Sequence, residues 1–202
     1  MYILQLLFLL ALGSYLLASI SSAIVVCKLY KLPDPRSQGS GNPGTTNVLR
    51  LGGKVPAAIT LLGDALKGLL PVLIAQFLFK DILISSGIYL IAFLGHVFPI
   101  YYGFKGGKGI ATALGGLFGL SWILGLGFVS IWILIAVIFR YSSLAALVAI
   151  SFSPILGGII LSFHVIGALV IVAGIAIYRH KENIQRLLTG KESKIGTKNK
   201  SQ

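Results

Sequence analysis

Acidic residues are scarce in this sequence, with 5 Asp and Glu against 17 Lys and Arg. Charged residues of both signs make up only 11% of the chain, whereas soluble domains carry about 25%. Hydrophobic residues reach 56%, and the mean hydropathy is +0.93. This composition is typical of a polytopic membrane protein and leaves no room for a separate soluble domain. The net charge of +12 therefore indicates basic loops at one membrane face and not a nucleic-acid-binding surface.

Several chemical classes are excluded by what is missing. Cys27 is the only cysteine, so the chain forms no internal disulfide and no cysteine-based zinc site. No internal repeat is visible, which argues against the inverted halves of many secondary transporters. A glycine-rich segment with two lysines is not a Walker A motif, because Lys108 is followed by Gly109 instead of Ser or Thr. We expect neither a metal nor an organic cofactor.

Long apolar runs predict an all-α integral membrane protein. They cover residues 2–27, 55–79, 82–101, 110–138 and 142–178, and about 20 residues suffice to cross the hydrocarbon core. No basic segment precedes the first run, so we expect a retained span and not a cleaved signal peptide. Basic residues follow that run at Lys28, Lys31, Arg36, Arg50 and Lys54. The positive-inside rule then places the N-terminus outside and the first polar loop and the C-terminus in the cytoplasm.

The number of spans depends on the last two runs, since two crossings there give five spans and four crossings give seven. The 142–178 run would be about 55 Å long as one helix, and we expect Pro154 and the Gly157–Gly158 pair to break it. The 110–138 run could break at Gly115, Gly116 and Gly119 to Ser121.

Arg140 favours seven spans with five as the alternative, because only seven spans place this residue in the cytoplasm. Residues 1–192 would then form one membrane-embedded domain, and residues 193–202 a basic disordered tail.

Two charges lie inside the second run. Asp64 and Lys67 are three residues apart and share one helical face. Because charges are costly inside a bilayer, we expect the two side chains to pair and to face the protein interior. A structural salt bridge is the preferred interpretation, and the alternative is that one of them reaches a functional site.

Three polar segments between and after the apolar runs carry the candidate chemistry. We call them the first loop (residues 40–50), the glycine loop (103–109) and the C-terminal segment (179–192). They offer glycine N–H groups, hydroxyls, amides and cations, which are the donors that hold a phosphate or an oxyanion. Ile184, Leu187 and Leu188 in the last segment share a helical face, which predicts a short amphipathic helix on the membrane surface. With an even number of crossings between them, all three segments lie on one face.

These segments resemble the three motifs of a bacterial enzyme family, the acyl-phosphate:glycerol-3-phosphate acyltransferases (the PlsY family). The matching stretches, in the family's order, are SGNPGTTNVLR, GHVFPIYYGFKGGKGIATALG and RHKENIQRLLTGKE. The resemblance covers nearly the whole chain. It implies transfer of a fatty acyl group from acyl phosphate to the sn-1 hydroxyl of glycerol 3-phosphate, giving lysophosphatidic acid for phospholipid synthesis at the cytoplasmic face of the inner membrane. It implies glycerol 3-phosphate, acyl phosphate and the lipid bilayer as partners, and we expect a monomer.

The resemblance also implies roles for individual residues. The family's functional Ser and Arg in the first motif match Ser40 and Arg50, and its functional His and Asn in the third match His180 and Asn183. The glycine loop would bind glycerol 3-phosphate, and Glu192 would serve structural integrity, as we expect of Asp64 and Lys67. With Lys108 added for its charge, the predicted catalytic set is Ser40, Arg50, Lys108, His180 and Asn183. The predicted substrate-binding residues are Gly41, Asn42, Thr45, Thr46, Asn47, Gly103, Lys105, Gly106, Gly107 and Gly109.

No conventional base is evident for this reaction. His96 and His180 are each followed five residues later by a residue other than Asp, so a His-x-x-x-x-Asp acyltransferase box is missing. Acyl phosphate is a mixed anhydride with a good leaving group, so either His180 or the donor's own phosphate could take the hydroxyl proton. A small anion transporter is the alternative from another class, but its binding site would lie near the midplane and not at one face.

Overall fold

The computed structural model describes residues 2–196, which contain helices and no strand. Within this described range, ten α-helices follow one another: α1 Tyr2–Ala18, α2 Ser22–Leu29, α3 Thr45–Gly52, α4 Lys54–Phe79, α5 Ile82–Val97, α6 Ile110–Leu120, α7 Trp122–Phe139, α8 Ser142–Ile160, α9 Ile166–Arg179 and α10 Lys181–Leu188. Short 3₁₀ turns cover Ile100–Tyr102 and Phe163–Val165. The all-α prediction is confirmed.

Four helical segments are long and apolar enough to cross a membrane: Lys54–Phe79, Ile82–Tyr102, Trp122–Phe139 and Ser142–Ile160. Two bent pairs, α1 with α2 (43°) and residues 163–179 with α10 (60°), raise the number to six if each pair is one span. Helix α6 has 11 residues and is about 16 Å long, too short to cross the hydrocarbon core by itself. Seven spans and the orientation of the termini therefore stay predictions.

Local side-chain chemistry fixes the helix boundaries. Asp81 caps α5 by accepting hydrogen bonds from the N–H groups of Leu83 (2.7 Å) and Ile84 (3.1 Å). Ser121 adopts an extended backbone between α6 and α7, and its hydroxyl accepts from Leu124 N–H at 3.4 Å. The 110–138 run therefore breaks at Ser121, the last of the predicted positions, whereas Gly115 and Gly116 lie inside α6.

The predicted break of the 142–178 run at Pro154 and Gly157–Gly158 is wrong. Both features lie inside α8, and the chain breaks later, at residues 161–162. Proline removes the N–H that would bond to the carbonyl of Ile150, four residues earlier. The hydroxyl of Ser153 donates to that same carbonyl oxygen at 2.8 Å, so the helix continues with the acceptor satisfied.

The helices bring the C-terminal segment beside the turn between α7 and α8. The backbones of Arg140 and Ile195 are joined by an N–H···O bond of 2.6 Å, and the Arg140 guanidinium donates to the Ile195 carbonyl at 3.0 Å. The Arg140 turn thus lies at the same end of the bundle as α10. The predicted tail at 193–202 begins with this ordered contact, and residues 197–202 lie outside the described part of the chain.

Candidate active site

One cavity of about 350 Å³ opens at the end of the bundle where α9 meets α10. It is lined by Arg36, Ser40, Gly41, Asn42, Pro43, Lys105, Gly106, Lys108, Tyr178, Arg179, Lys181 and Glu182. Residues of the first loop, the glycine loop and the C-terminal segment therefore share one site. Five lining residues are cationic and one, Glu182, is acidic, so the cavity carries a strong positive charge.

Asn47 holds the first loop in shape. Its side-chain oxygen accepts from Ser40 N–H at 2.9 Å, and its amide nitrogen donates to the carbonyls of Pro35 (2.8 Å) and Gln38 (3.0 Å). The residue is 1% exposed. Because both of its amide hydrogens and its side-chain oxygen are engaged within the first loop and the residues before it, Asn47 holds the backbone at Ser40 in place.

The other predicted residues of the first loop divide into two groups. Gly41 and Asn42 line the cavity beside Ser40. Thr45 and Thr46 begin α3, where the Thr45 hydroxyl is buried without a hydrogen-bond partner. Arg50 is exposed in the last turn of α3 and does not line the cavity.

Close backbone packing sets the position of the glycine loop. A Cβ atom at Gly106 would overlap the carbonyl oxygen of His96, and one at Gly107 would overlap the imidazole Nε2 of the same residue. The Gly106 N–H also donates to the Val97 carbonyl at 3.2 Å. Replacing either glycine would therefore displace the loop itself, so such variants cannot separate binding from folding.

The ends of the glycine loop have different surroundings. Gly103 adopts a left-handed conformation (φ 60°) directly after the 3₁₀ turn, and Gly109 (φ 82°) precedes the first residue of α6 against the ring of Phe93. Neither lines the cavity, whereas Lys105, Gly106 and Lys108 between them do.

A hydrogen-bond network holds the side chain of Lys108 in place. Its ammonium group donates to the Asn183 side-chain oxygen, and the Asn183 amide donates to Glu192 Oε1 at 2.7 Å. Glu192 also accepts from Ser143 Oγ (2.6 Å) and from Arg186 Nε (2.7 Å). Asn183 thus touches a cavity residue on one side and the carboxylate on the other, and α8 is tied to α10.

His180 lies at the junction of α9 and α10 and is 4% exposed. Its Nδ1 is 2.7 Å from the Ala176 carbonyl oxygen. Since a carbonyl can only accept, Nδ1 carries the proton, and in the neutral ring Nε2 is left as the acceptor. His180 is not a lining residue, although its neighbours Arg179 and Lys181 are.

Arg36, Arg179 and Lys181 line the cavity without having been predicted as site residues. Arg179 donates from Nη2 to the Gly106 carbonyl at 2.7 Å, and its buried Nε has no partner. Arg36 is held by Asp34 at 2.6 Å and lies 5.7 Å from the centre of the Tyr102 ring. The sequence pattern assigns Arg36 only to the membrane topology, and it places Arg179 and Lys181 in the C-terminal segment without a role of their own. Their closeness to Ser40 and His180 along the chain was the available signal.

Comparison with known proteins decides the family. The sequence model of one family, described as Glycerol-3-phosphate acyltransferase, matches residues 8–190. This chain belongs to that family. The glycerol-3-phosphate acyltransferase of Francisella tularensis subsp. novicida (strain U112) is 59% identical over 191 residues, which are 93% of this chain and 92% of the relative. The enzyme of Francisella philomiragia subsp. philomiragia is 58% identical over the same shares.

Two solved structures resemble this acyltransferase closely. Both are crystal structures of PlsY, described as an integral membrane glycerol 3-phosphate acyltransferase. The glycerol 3-phosphate form has a TM-score of 0.90 and 39% identity, and the lysophosphatidic acid form has a TM-score of 0.86 and 38% identity. Each comparison covers 95% of this chain and 96% of the other. The resemblance drawn from the three motifs is confirmed, and the chain is a membrane acyltransferase.

The charge of Lys108 should control the alkaline side of the acyltransferase's pH profile. Burial and the nearby Arg186 and Arg179 lower the pKa of Lys108 to about 8, against the opposing effect of Glu192 and Glu182. As pH rises through 8, the free enzyme loses this cation, so kcat/KM for glycerol 3-phosphate should fall. A Lys108→Arg variant keeps its charge above pH 12, and its profile should lack this limb. The same limb in both enzymes would assign it to another group.

Removal of the Glu192 carboxylate should destabilise the acyltransferase. Its side chain is only 8% exposed, and Glu192→Ala leaves Ser143, Asn183 and Arg186 without their acceptor. We expect the free energy of unfolding to fall by about 2–4 kcal/mol, measured by thermal unfolding in detergent. Glu182→Ala, which removes an exposed carboxylate from the neighbouring helix α10, is the matched control and should change the free energy of unfolding by less than about 0.5 kcal/mol.

The Glu192 effect should depend on pH with a defined sign. Burial raises the pKa of Glu192, but hydrogen bonds from Ser143, Arg186 and Asn183 outweigh it and bring the pKa below the ordinary value of 4.5. The stabilisation is therefore present above pH 4.5 and is lost as pH falls through the folded-state pKa. The difference between the parent chain and Glu192→Ala should shrink below pH 4.5.

Proposed function

We propose that this chain transfers a fatty acyl group from acyl phosphate directly to the sn-1 hydroxyl of glycerol 3-phosphate, at the cytoplasmic face of a bacterial inner membrane. The product is lysophosphatidic acid. Membership of the glycerol-3-phosphate acyltransferase family supports the acceptor and the reaction class. The charge, the volume and the lining residues of the cavity support the choice of donor and the direct mode of transfer.

The charge of the cavity is the observation that supports acyl phosphate as the acyl donor. A phosphate monoester carries about −1.5 to −2 charges at pH 7, so glycerol 3-phosphate and acyl phosphate together bring about −3 to −4. Arg36 is already paired with Asp34, and the four other cations together with Glu182 leave a net charge of about +3, which offsets two such groups side by side. A single phosphate on the acceptor would leave up to about half of this charge unbalanced.

The size of the cavity supports the same donor. Ligand pockets range over about 300–1,000 Å³, and this cavity, at about 350 Å³, lies near the lower limit. Two phosphate groups and a glycerol skeleton suit that volume, with the acyl chain in the membrane. In a coenzyme A thioester the phosphates are remote from the acyl carbonyl, so the cations next to the reacting group would lack their counterpart.

The lining residues suggest how the reaction proceeds. The glycerol hydroxyl forms a bond to the acyl carbonyl carbon, the bond between that carbon and the phosphate oxygen breaks, and inorganic phosphate leaves. Lys108 and Arg179 stabilise the phosphates and the developing negative charge. Two groups could take the hydroxyl proton: an oxygen of the departing phosphate, and Nε2 of His180, which lies between the lining residues Arg179 and Lys181 without lining the cavity itself.

Ser40 serves as a hydrogen-bond donor in this proposal and not as a nucleophile. It is exposed in the cavity, and its position is set by the backbone bond to Asn47. No histidine lines the cavity among the described residues, so Ser40 lacks the adjacent base that activates a serine. We infer a monomer, because one chain supplies all the residues of the site.

Donor use and direct transfer can be tested in one experiment. Purified protein in detergent is incubated with radiolabelled glycerol 3-phosphate and either palmitoyl phosphate or palmitoyl coenzyme A. Lipid-soluble product should form only with palmitoyl phosphate, and comparable rates with both donors would contradict the proposed donor. Mass spectrometry after incubation with palmitoyl phosphate alone should show unmodified protein. A stoichiometric acyl adduct on Ser40 would replace direct transfer by a covalent mechanism.

A further inference from the structure

A buried ion pair inside α4 has no part in the reaction described above. Lys67 Nζ lies 2.9 Å from Asp64 Oδ1, and the two side chains are 5% and 2% exposed. Lys67 Nζ also donates to the carbonyl oxygen of Ile20 at 2.8 Å. Ile20 lies at the break between α1 and α2, where the carbonyl has no helical partner. The ammonium group therefore ties α4 to the point where the chain turns towards the first loop.

His96 lies between the Asp64 carboxylate and the glycine loop. The Nδ1 atom of His96 is 3.7 Å from Asp64 Oδ1, which is an electrostatic contact and not a hydrogen bond, and His96 is 6% exposed. On its opposite side the imidazole lies so close to Gly107 that a Cβ atom there would overlap Nε2. His96 is therefore enclosed between the buried carboxylate and the backbone of the glycine loop at Gly107, which is the residue before Lys108.

Retaining such a group inside a bilayer is costly. A buried ion pair is often no more stabilising than well-packed hydrophobic residues of similar volume, and intramembrane charges carry a substantial insertion cost. A neutral contact also joins α4 to the end of α6, because Gln76 donates to the Leu120 carbonyl at 2.9 Å. Holding α4 in the bundle therefore does not by itself require buried charges. The contacts of Asp64, Lys67 and His96 instead converge on the chain segments that lead into the cavity.

We propose that Asp64, Lys67 and His96 form a positioning cluster. The cluster holds the glycine loop in the position in which Lys108 and Gly106 contact a phosphate. None of the three touches substrate. The Asp64 carboxylate lies against the His96 ring, the ring supports Gly107, and Lys67 holds Asp64 and the α1–α2 break in place. The inference rests on the proposed function in one respect, namely that glycerol 3-phosphate binds against the glycine loop.

Calorimetric titration of glycerol 3-phosphate into the detergent-solubilised chain tests the cluster without any acyl donor. Asp64→Asn/Lys67→Met removes both charges together, so no unpaired charge is left in the membrane. His96→Gln keeps the ion pair but removes the ring. Each variant should raise the Kd at least tenfold. The matched control is Gln76→Met, which removes a polar contact from the same helix and should leave the Kd within twofold.

Non-additivity separates positioning from general destabilisation. If the ion pair acts through His96, the triple variant should bind no more weakly than His96→Gln alone, within twofold, whereas independent effects would multiply to about 100-fold. An unchanged Kd in His96→Gln overturns the proposal by itself, including when the double variant fails to fold. Parallel transfer assays with palmitoyl phosphate on the parent chain report on the proposed donor, so failure of one proposal is distinguishable from failure of the other.

Discussion

Lys108→Met should lower kcat/KM for glycerol 3-phosphate by about 10³-fold, the largest effect we expect from a single substitution. Lys108 is a half-buried cation that contacts Asn183 and lines the cavity. One well-placed donor in a water-poor site contributes about 10²–10³ in rate, and the loss of the phosphate's counter-charge adds to it. Steady-state kinetics with both substrates varied would measure the effect.

Lys105→Met is the matched control for this variant. Lys105 lines the same cavity on the same loop but is exposed, and exposed charge pairs contribute only about 0–1 kcal/mol because water screens them. We expect a loss of less than tenfold. A larger loss for Lys105→Met than for Lys108→Met would mean that the phosphate lies at the outer end of the loop.

His180→Asn should lower kcat/KM by at least about 10²-fold, while His180→Gln should retain activity within about tenfold. The Asn amide can still donate to the Ala176 carbonyl, as Nδ1 does now, but it offers nothing at the Nε2 position. Gln reaches that position with a hydrogen-bonding group that cannot accept a proton as a base. This expectation follows if the departing phosphate takes the proton and His180 only orients the acceptor.

The two His180 variants thereby assign the base. General-base catalysis contributes about 10²–10⁴ in rate, so a base at Nε2 would make both variants lose activity equally. Rates are measured at saturating palmitoyl phosphate, and thermal unfolding confirms that both variants fold. Equal and large losses would assign the proton to His180 and remove the phosphate from that role.

The helices could be predicted because their signal is local. The apolar runs and the Ser121 break lie in the sequence itself, and each corresponds to a helix or a boundary. Pro154 misled the interpretation because its effect depends on whether a neighbouring side chain satisfies the freed carbonyl. Ser153 does so, and that contact is not visible in hydrophobic periodicity.

The site could be predicted in outline but not in its division of labour. Polar residue types located the three segments, and the family resemblance ranked their members. Which side chain faces the cavity depends on loop geometry, so the enclosed position of Asn47 and the lining position of Arg36 were not predictable from residue type. Similarly, only the folded chain brings Ser143 and Glu192, 49 residues apart, within 2.6 Å.

The close contact between α4 and α6 limits the substitutions that this sequence can accept. A methyl group on Gly68 would overlap the Thr112 carbonyl oxygen, and one on Gly115 would overlap the Ala65 carbonyl oxygen. Each glycine thus faces main chain, which no second substitution can trim away. Along α7, by contrast, most side chains face outward, and one aliphatic residue there substitutes for another. Random mutagenesis with selection for growth would therefore leave α7 diverse in sequence and these two glycines invariant.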